Sequence, residues 1–160
     1  MPPVLQPVPV RVLDNLETVA LPLINGSSDY FFDVNVVKLT EDPLAANQLP
    51  ILTIGDVGQL GRYSQEDSGR VLWSDHVHWA ITILGAVESQ TDSARQLLRM
   101  AHDVHKAVKV DPKRGGNAHD TRWMGWEILP SAGPTDSRAW MQCHLVIVMR
   151  FKDTDMTVVY

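Results

Sequence analysis

Four consecutive pieces decide the fold: Thr91–Val108, TDSARQLLRMAHDVHKAV; Asp111–Gly116, DPKRGG; His119–Leu129, HDTRWMGWEIL; and Arg138–Phe151, RAWMQCHLVIVMRF. In the first, Ala94, Leu97, Leu98, Ala101, Val104 and Val108 recur every three or four residues, the pattern of an amphipathic helix. Its polar side carries Arg95, Arg99, His102 and Lys106, and Thr91, Asp92 or Ser93 supplies the cap. Gly115 and Gly116 give the permissive backbone with which the chain turns from helix into sheet. In the last piece Met141, Cys143, Leu145, Ile147 and Met149 share one parity, the period of a strand with one buried face. A strand from Ala139 to Phe151 exceeds the common length of about 5–6 residues, and a small core does not require it. No residue here is arranged for chemistry, so the excess length predicts a surface built for assembly.

Working upstream, Val71–Val87 alternates over its whole length, with Val71, Trp73, Val77, Trp79, Ile81 and Ile83 on one face and Ser74, His76, His78 and Thr82 on the other. Gly55–Gly69 has no period and is rich in Gly, Asp and Ser, which predicts a long loop of the kind that binds partners. Pro50–Ile54 reads as a short strand before it, and Tyr30–Leu39 as a half-buried strand with Phe32, Val34 and Val36 on one side. From Val10, the residues Val12, Leu13, Leu16, Val19, Ala20 and Leu23 keep helical spacing until Pro22 kinks or ends the element. Pro2, Pro3, Pro7 and Pro9 make residues 1–9 an extended arm. The expected organisation is the arm, a single domain over 10–152, and a C-terminal tail over 153–160. The expected class is α+β: a mixed, mainly antiparallel sheet of about five strands with two helices packed on it, in the order α-β-β-β-α-β-β.

With 160 residues, 44% hydrophobic and 21% charged, the chain buries a real core and is one globular domain. A net charge of -5 disfavours tight nucleic-acid binding, which relies on a basic excess to displace counterions. The single Cys143 cannot form an intrachain disulfide and sits among buried strand positions, so a reducing compartment fits. No apolar run approaches the roughly 18 residues of a membrane span, and Met1–Pro7 lacks the basic-then-apolar order of a signal peptide, so the expectation is a soluble protein.

His76 and His78 project from the same side of a strand with Cα atoms about 6–7 Å apart, a spacing at which two imidazoles could share a zinc ion. A catalytic site needs at least a third ligand, and His119, His144 or an acid would have to supply it. The plainer reading puts both histidines on the polar face of a strand. No Gly-x-Ser-x-Gly elbow occurs, and burial keeps Cys143 inert. Gly58–Arg62 lacks the Lys-Ser/Thr of a P-loop, while Lys113-Arg114-Gly115-Gly116 follows a helix instead of opening one. No cofactor is expected, and Lys113 and Arg114 are read as an interaction patch. Trp73 and Trp79 share the core parity; Trp123 and Trp126 have opposite parity, so one of them points outward, and Trp140 opposes the Met141 face. An outward aromatic on a long strand is an anchor for a subunit contact.

The order of elements resembles the tail terminator, or minor tail, proteins of long-tailed bacteriophages. The likeness spans Val10–Lys152: an N-terminal helix, Leu49-Pro50-Ile51-Leu52, a helix closing in Asp-Pro-x-x-Gly-Gly, and a hairpin ending in Arg150-Phe151. It implies a non-enzymatic structural protein, a homohexameric ring that caps the head-proximal end of the tail tube, stops its growth and joins the neck. Implied partners are the tube protein, the neck or connector protein, and the sheath protein in a contractile tail. DNA would pass through without specific binding, and the location would be the virion, assembled in host cytoplasm. Arg62, Tyr63, Lys113, Arg114, Trp123, Trp140 and Tyr160 are the expected contact residues, with Thr154–Tyr160 adding an edge strand to a neighbour. The alternatives are a small metal-dependent enzyme using His76 and His78, a head-tail connector, and a free-standing binding domain.

Overall fold

A computed structural model describes residues 5–64, 74–130, 137–152 and 155–159. The first helix, α1, runs over Val8–Asn15 and passes through a wider turn, Leu16–Ala20, into a tight one, Leu21–Leu23. Pro9 sits in the first turn of α1, where its missing N–H has no intrahelical partner to lose. The arm expected over residues 1–9 therefore ends earlier, since Val8 and Pro9 are buried in the helix. Pro22 occupies the equivalent place in the final turn.

Strand β1 is only Asn35–Val37 and pairs in parallel with β2, Ile51–Ser64. Strand β3, Ser74–Glu88, runs antiparallel to β2 along its whole length. Helix α2, Ser93–Val110, then leads to β4, Asp120–Leu129, and β5, Arg138–Lys152. The strands lie in the order β1-β2-β3-β5-β4, and a short β6, Asp155–Val159, pairs with the end of β5. The class is α+β, with a mixed sheet. Val71 and Trp73 fall outside the described residues, while Ile81 and Ile83 are buried as their parity requires.

Three expectations are corrected by pairing. Most of the loop expected from Gly55 is strand, because β3 provides partners for residues up to Ser64. Register shifts between Ile54 and Asp56 and between Gln59 and Gly61 erase the two-residue period that would have marked it. The strand expected over Tyr30–Leu39 shrinks to three residues. The backbone of Phe31 and Phe32 instead turns to meet the Asp103 carboxylate. The C-terminal segment expected to reach a neighbour pairs with its own chain, Val159 beside Phe151 and Asp155 beside Lys152; Tyr160 lies outside the described residues.

Both helices pack on one face of the sheet. Val12, Leu16 and Leu21 from the first helical segment and Leu97, Met100, Ala101 and Val104 from α2 close over Leu52, Ile83, Met141, Cys143, Leu145 and Ile147. Each fully buried Leu or Ile of this seam contributes about 1.5–3 kcal/mol. The stripe of α2 is rotated from the expected one: Ala94 and Leu98 are exposed, while Met100, Asp103 and Ala107 face inward. A second, smaller cluster lies on the opposite face, where Val37, Ile51, Ala86 and Trp140 are covered by Ala46 and Leu49. Arg138 holds that covering loop by donating to the carbonyls of Pro43, Leu44 and Ala46 at 2.9–3.1 Å. Among the described residues no helix is long and apolar enough to cross a membrane.

Candidate interaction surface

The turn Asp111–Gly116 is built from its own side chains. Asp111 accepts from the N–H groups of Lys113 and Gly115, and Arg114, Gly115 and Gly116 follow one another at φ values of 51°, 66° and 81°. Glycine enters this left-handed region freely; an arginine there is held by what its side chain does. The Arg114 guanidinium is fully buried, donating to Thr121 Oγ1 at 3.2 Å, to Asn15 Oδ1 at 3.5 Å and to the Val108 carbonyl. Thr121 Oγ1 in turn donates to the Pro112 carbonyl at 2.7 Å. Desolvation lowers the Arg114 pKa from its ordinary value, and nearby Asp111 opposes part of that shift. Arg114 is thus a tie between α1, the end of α2 and the start of β4, which corrects its expected place in an exposed patch. Lys113 is exposed.

The tryptophans are rearranged by one glycine. Trp123 stands opposite Leu145 and Gly125 opposite His144, so Met124 is an extra residue and the strand bulges. Beyond the bulge Trp126 faces Cys143, and Trp123 and Trp126 lie on the same side of the sheet despite their opposite sequence parity. Trp123 is half-buried against His105, ring centroids 4.8 Å apart, while Trp126 is 44% exposed beside Ile128, 44%, and Met124, 62%. The outward aromatic of this hairpin is Trp126, not the expected Trp123. Trp140 is 7% exposed and closes the second cluster, so the second packed layer accounts for its parity. An apolar cleft of about 280 Å³ opens beside it, lined by Pro43, Leu44, Leu84, Leu129 and Pro130.

His78 is half-buried on β3, next to the strand position of His76, whose side chain lies outside the described residues together with those of Arg62 and Tyr63. The backbone of Arg62 and Tyr63 is strand, opposite Val77 and His76. His144 Nε2 is 3.3 Å from Glu127 Oε1 on the neighbouring strand, and His119 is exposed. Among the described residues no three His, Cys, Asp or Glu side chains gather where they could hold a metal ion; the pair His76 and His78 lies partly outside them. Burial pushes the Cys143 thiol up to about 12. His105 is lowered, chiefly by desolvation and then by Lys109 and His102. Neither group lines the apolar cleft.

What the arrangement leaves open is backbone. Residues 120–129 of β4 and 54–64 of β2 have no second strand neighbour among the described residues. Unpaired edges of this length template pairing with another chain. On the face away from the helices, the loop around Ala46 and Leu49 covers Val37, Ile51, Ala86 and Trp140, and Val146 and Val148 of the same face are also buried. No protein-family model and no curated protein matches the chain.

Proposed function

We propose that the protein is a structural component of a long-tailed bacteriophage virion, a tail terminator. Copies form a ring, of about six subunits, that caps the head-proximal end of the tail tube, ends its polymerisation and joins it to the neck. The observation that carries this reading is a sheet with both helices packed on one face and, among the described residues, no second strand neighbour for residues 54–64 of β2 or for β4, which displays Met124, Trp126 and Ile128. Because the edges lie on opposite sides of the sheet, a contact between them is head-to-tail, and such contacts close into rings when the rotation between copies permits. The resemblance of the element order to that of tail terminators supports the same reading. So does the acidic balance, which suits a channel that passes DNA without holding it. The partners are further copies of the chain, the tube protein, the neck protein and, in a contractile tail, the sheath protein.

The test is tube growth. Purified protein added to polymerising tube subunits is expected to stop elongation and to appear as a ring at one end of each tube by negative-stain imaging. Tubes that grow to the same length with and without it would contradict the reading.

A further inference from the structure

Charge in this chain is segregated. Helix α2 carries Arg95, Arg99, Lys106 and Lys109 against one acid, Asp103, whereas the other 142 residues hold ten Lys or Arg against eighteen Asp or Glu. Asp103 is itself fully buried, where it accepts from the backbone N–H groups of Phe31 at 2.8 Å and Phe32 at 3.1 Å. The solvent face of α2 is therefore basic, on a molecule whose remainder is acidic.

That buried carboxylate holds one aromatic side chain on the basic face. Phe31 is 62% exposed, with the Arg99 guanidinium 5.7 Å from its ring centroid and the His102 ring edge-on at 5.8 Å. Lys106 flanks it, 5.1 Å from the Tyr30 ring and 3.4 Å from Asp29. An exposed Phe beside an Arg, on backbone fixed by hydrogen bonds, is the composition of a contact hot spot, and its rigidity lowers the ordering entropy that binding must overcome. The complementary surface lies on the same chain. Glu41 and Asp42 are exposed just before the turn Pro43–Ala45. Among the described residues no ion pair joins the α2 bases to Glu41 or Asp42, whose carboxylates accept from the backbone N–H groups of Lys38 and Leu44, so the two patches can meet between copies.

Resting on the ring reading above, we infer that the Phe31–Arg99–His102 face of one subunit docks on the Glu41–Asp42 loop of the next, with Phe31 as the apolar anchor and Arg99 and Lys106 facing the acids. The aromatic-basic composition also suits a nucleic-acid strand. The net charge of -5 and the presence of the matching acids on the same chain favour a second copy.

The experiment uses full-length Arg99→Glu, Glu41→Lys and Phe31→Ala, with light scattering for mass and thermal melting to establish that each still folds. Arg99→Glu and Glu41→Lys are each expected to lose the ring alone and to recover it when mixed in equal amounts, since alternating subunits then present opposite charges at every contact of an even-membered ring. Phe31→Ala is expected to raise the concentration needed for half-assembly about tenfold. Folded variants that still form rings, or reversed pairs that fail to recover one, would overturn the inference and leave the ring reading standing. Loss of duplex DNA binding in Arg99→Glu with the ring intact would overturn it in favour of DNA. A wild-type chain that never exceeds monomer mass would overturn both.

Discussion

A guanidinium with no exposure to water is tolerable only when its donors are used, and Arg114 uses them on Thr121, Asn15 and Val108. Replacing it by Ala leaves a hydroxyl, an amide and a carbonyl without their donor, and the expected loss is about 2–4 kcal/mol of stability. Arg114→Lys keeps the charge but not the planar fork and is expected to lose much of the same amount. Urea unfolding of the two variants checks this; midpoints equal to wild type would show that the tie is dispensable. Cys143 offers a second residue-scale test. With its thiol pushed up to about 12 the thiolate is scarce at pH 8, so alkylation is expected only after unfolding, and rapid labelling of the native protein would contradict its burial. The inertness of Cys143 is legible in the sequence because its strand neighbours alternate with it. The role of Arg114 is not, because an Arg beside Lys113 before two glycines looks like any solvated turn. Only the partners from α1 and β4, distant in sequence, reveal it. Asp103 is a case with a usable signal: an acid three residues beyond Met100, inside the apolar stripe, marks a carboxylate with inward business.

At the scale of elements, periodicity located the helix α2 and the strands β3 and β5 to within a few residues, since each has one continuous face on the core. It failed where bulges interrupt the count. β2 hides two register shifts, and its long partner β3 decides its extent more than its own composition does. In β4 a lone glycine inside a strand was the available signal for a bulge, and it moves Trp126 to the side of Trp123. Gly125 has φ of 124°, a conformation that L side chains rarely adopt, although nothing crowds the space a Cβ would occupy. Gly125→Ala is therefore expected to destabilise by about 1–3 kcal/mol through backbone strain alone. A shift in tryptophan fluorescence should accompany it, because the bulge sets the exposure of Trp126. Unchanged stability and emission would mean that the bulge is not needed to place the tryptophans.

For the whole molecule, the class was readable from the alternation of helical and strand patterns, whereas the parallel pairing of β1 was not, since three residues hold too little pattern to give direction. The proposed contact surfaces were the least legible. They depend on which edge lacks a neighbour and on which face the helices leave uncovered, and neither is a property of local sequence. The strand length read from the sequence is present in the fifteen-residue β3 and β5, which lie inside the sheet. The central claim is that a sheet whose strands β2, over residues 54–64, and β4 have no second neighbour among the described residues completes itself with further copies of the chain. Sedimentation velocity on the purified protein tests that claim most directly. One species near six times the 17.9 kDa chain is expected, giving way to monomer as salt rises, because charges help to close the proposed contact. A single species at the monomer mass, unchanged with concentration and salt, would contradict it.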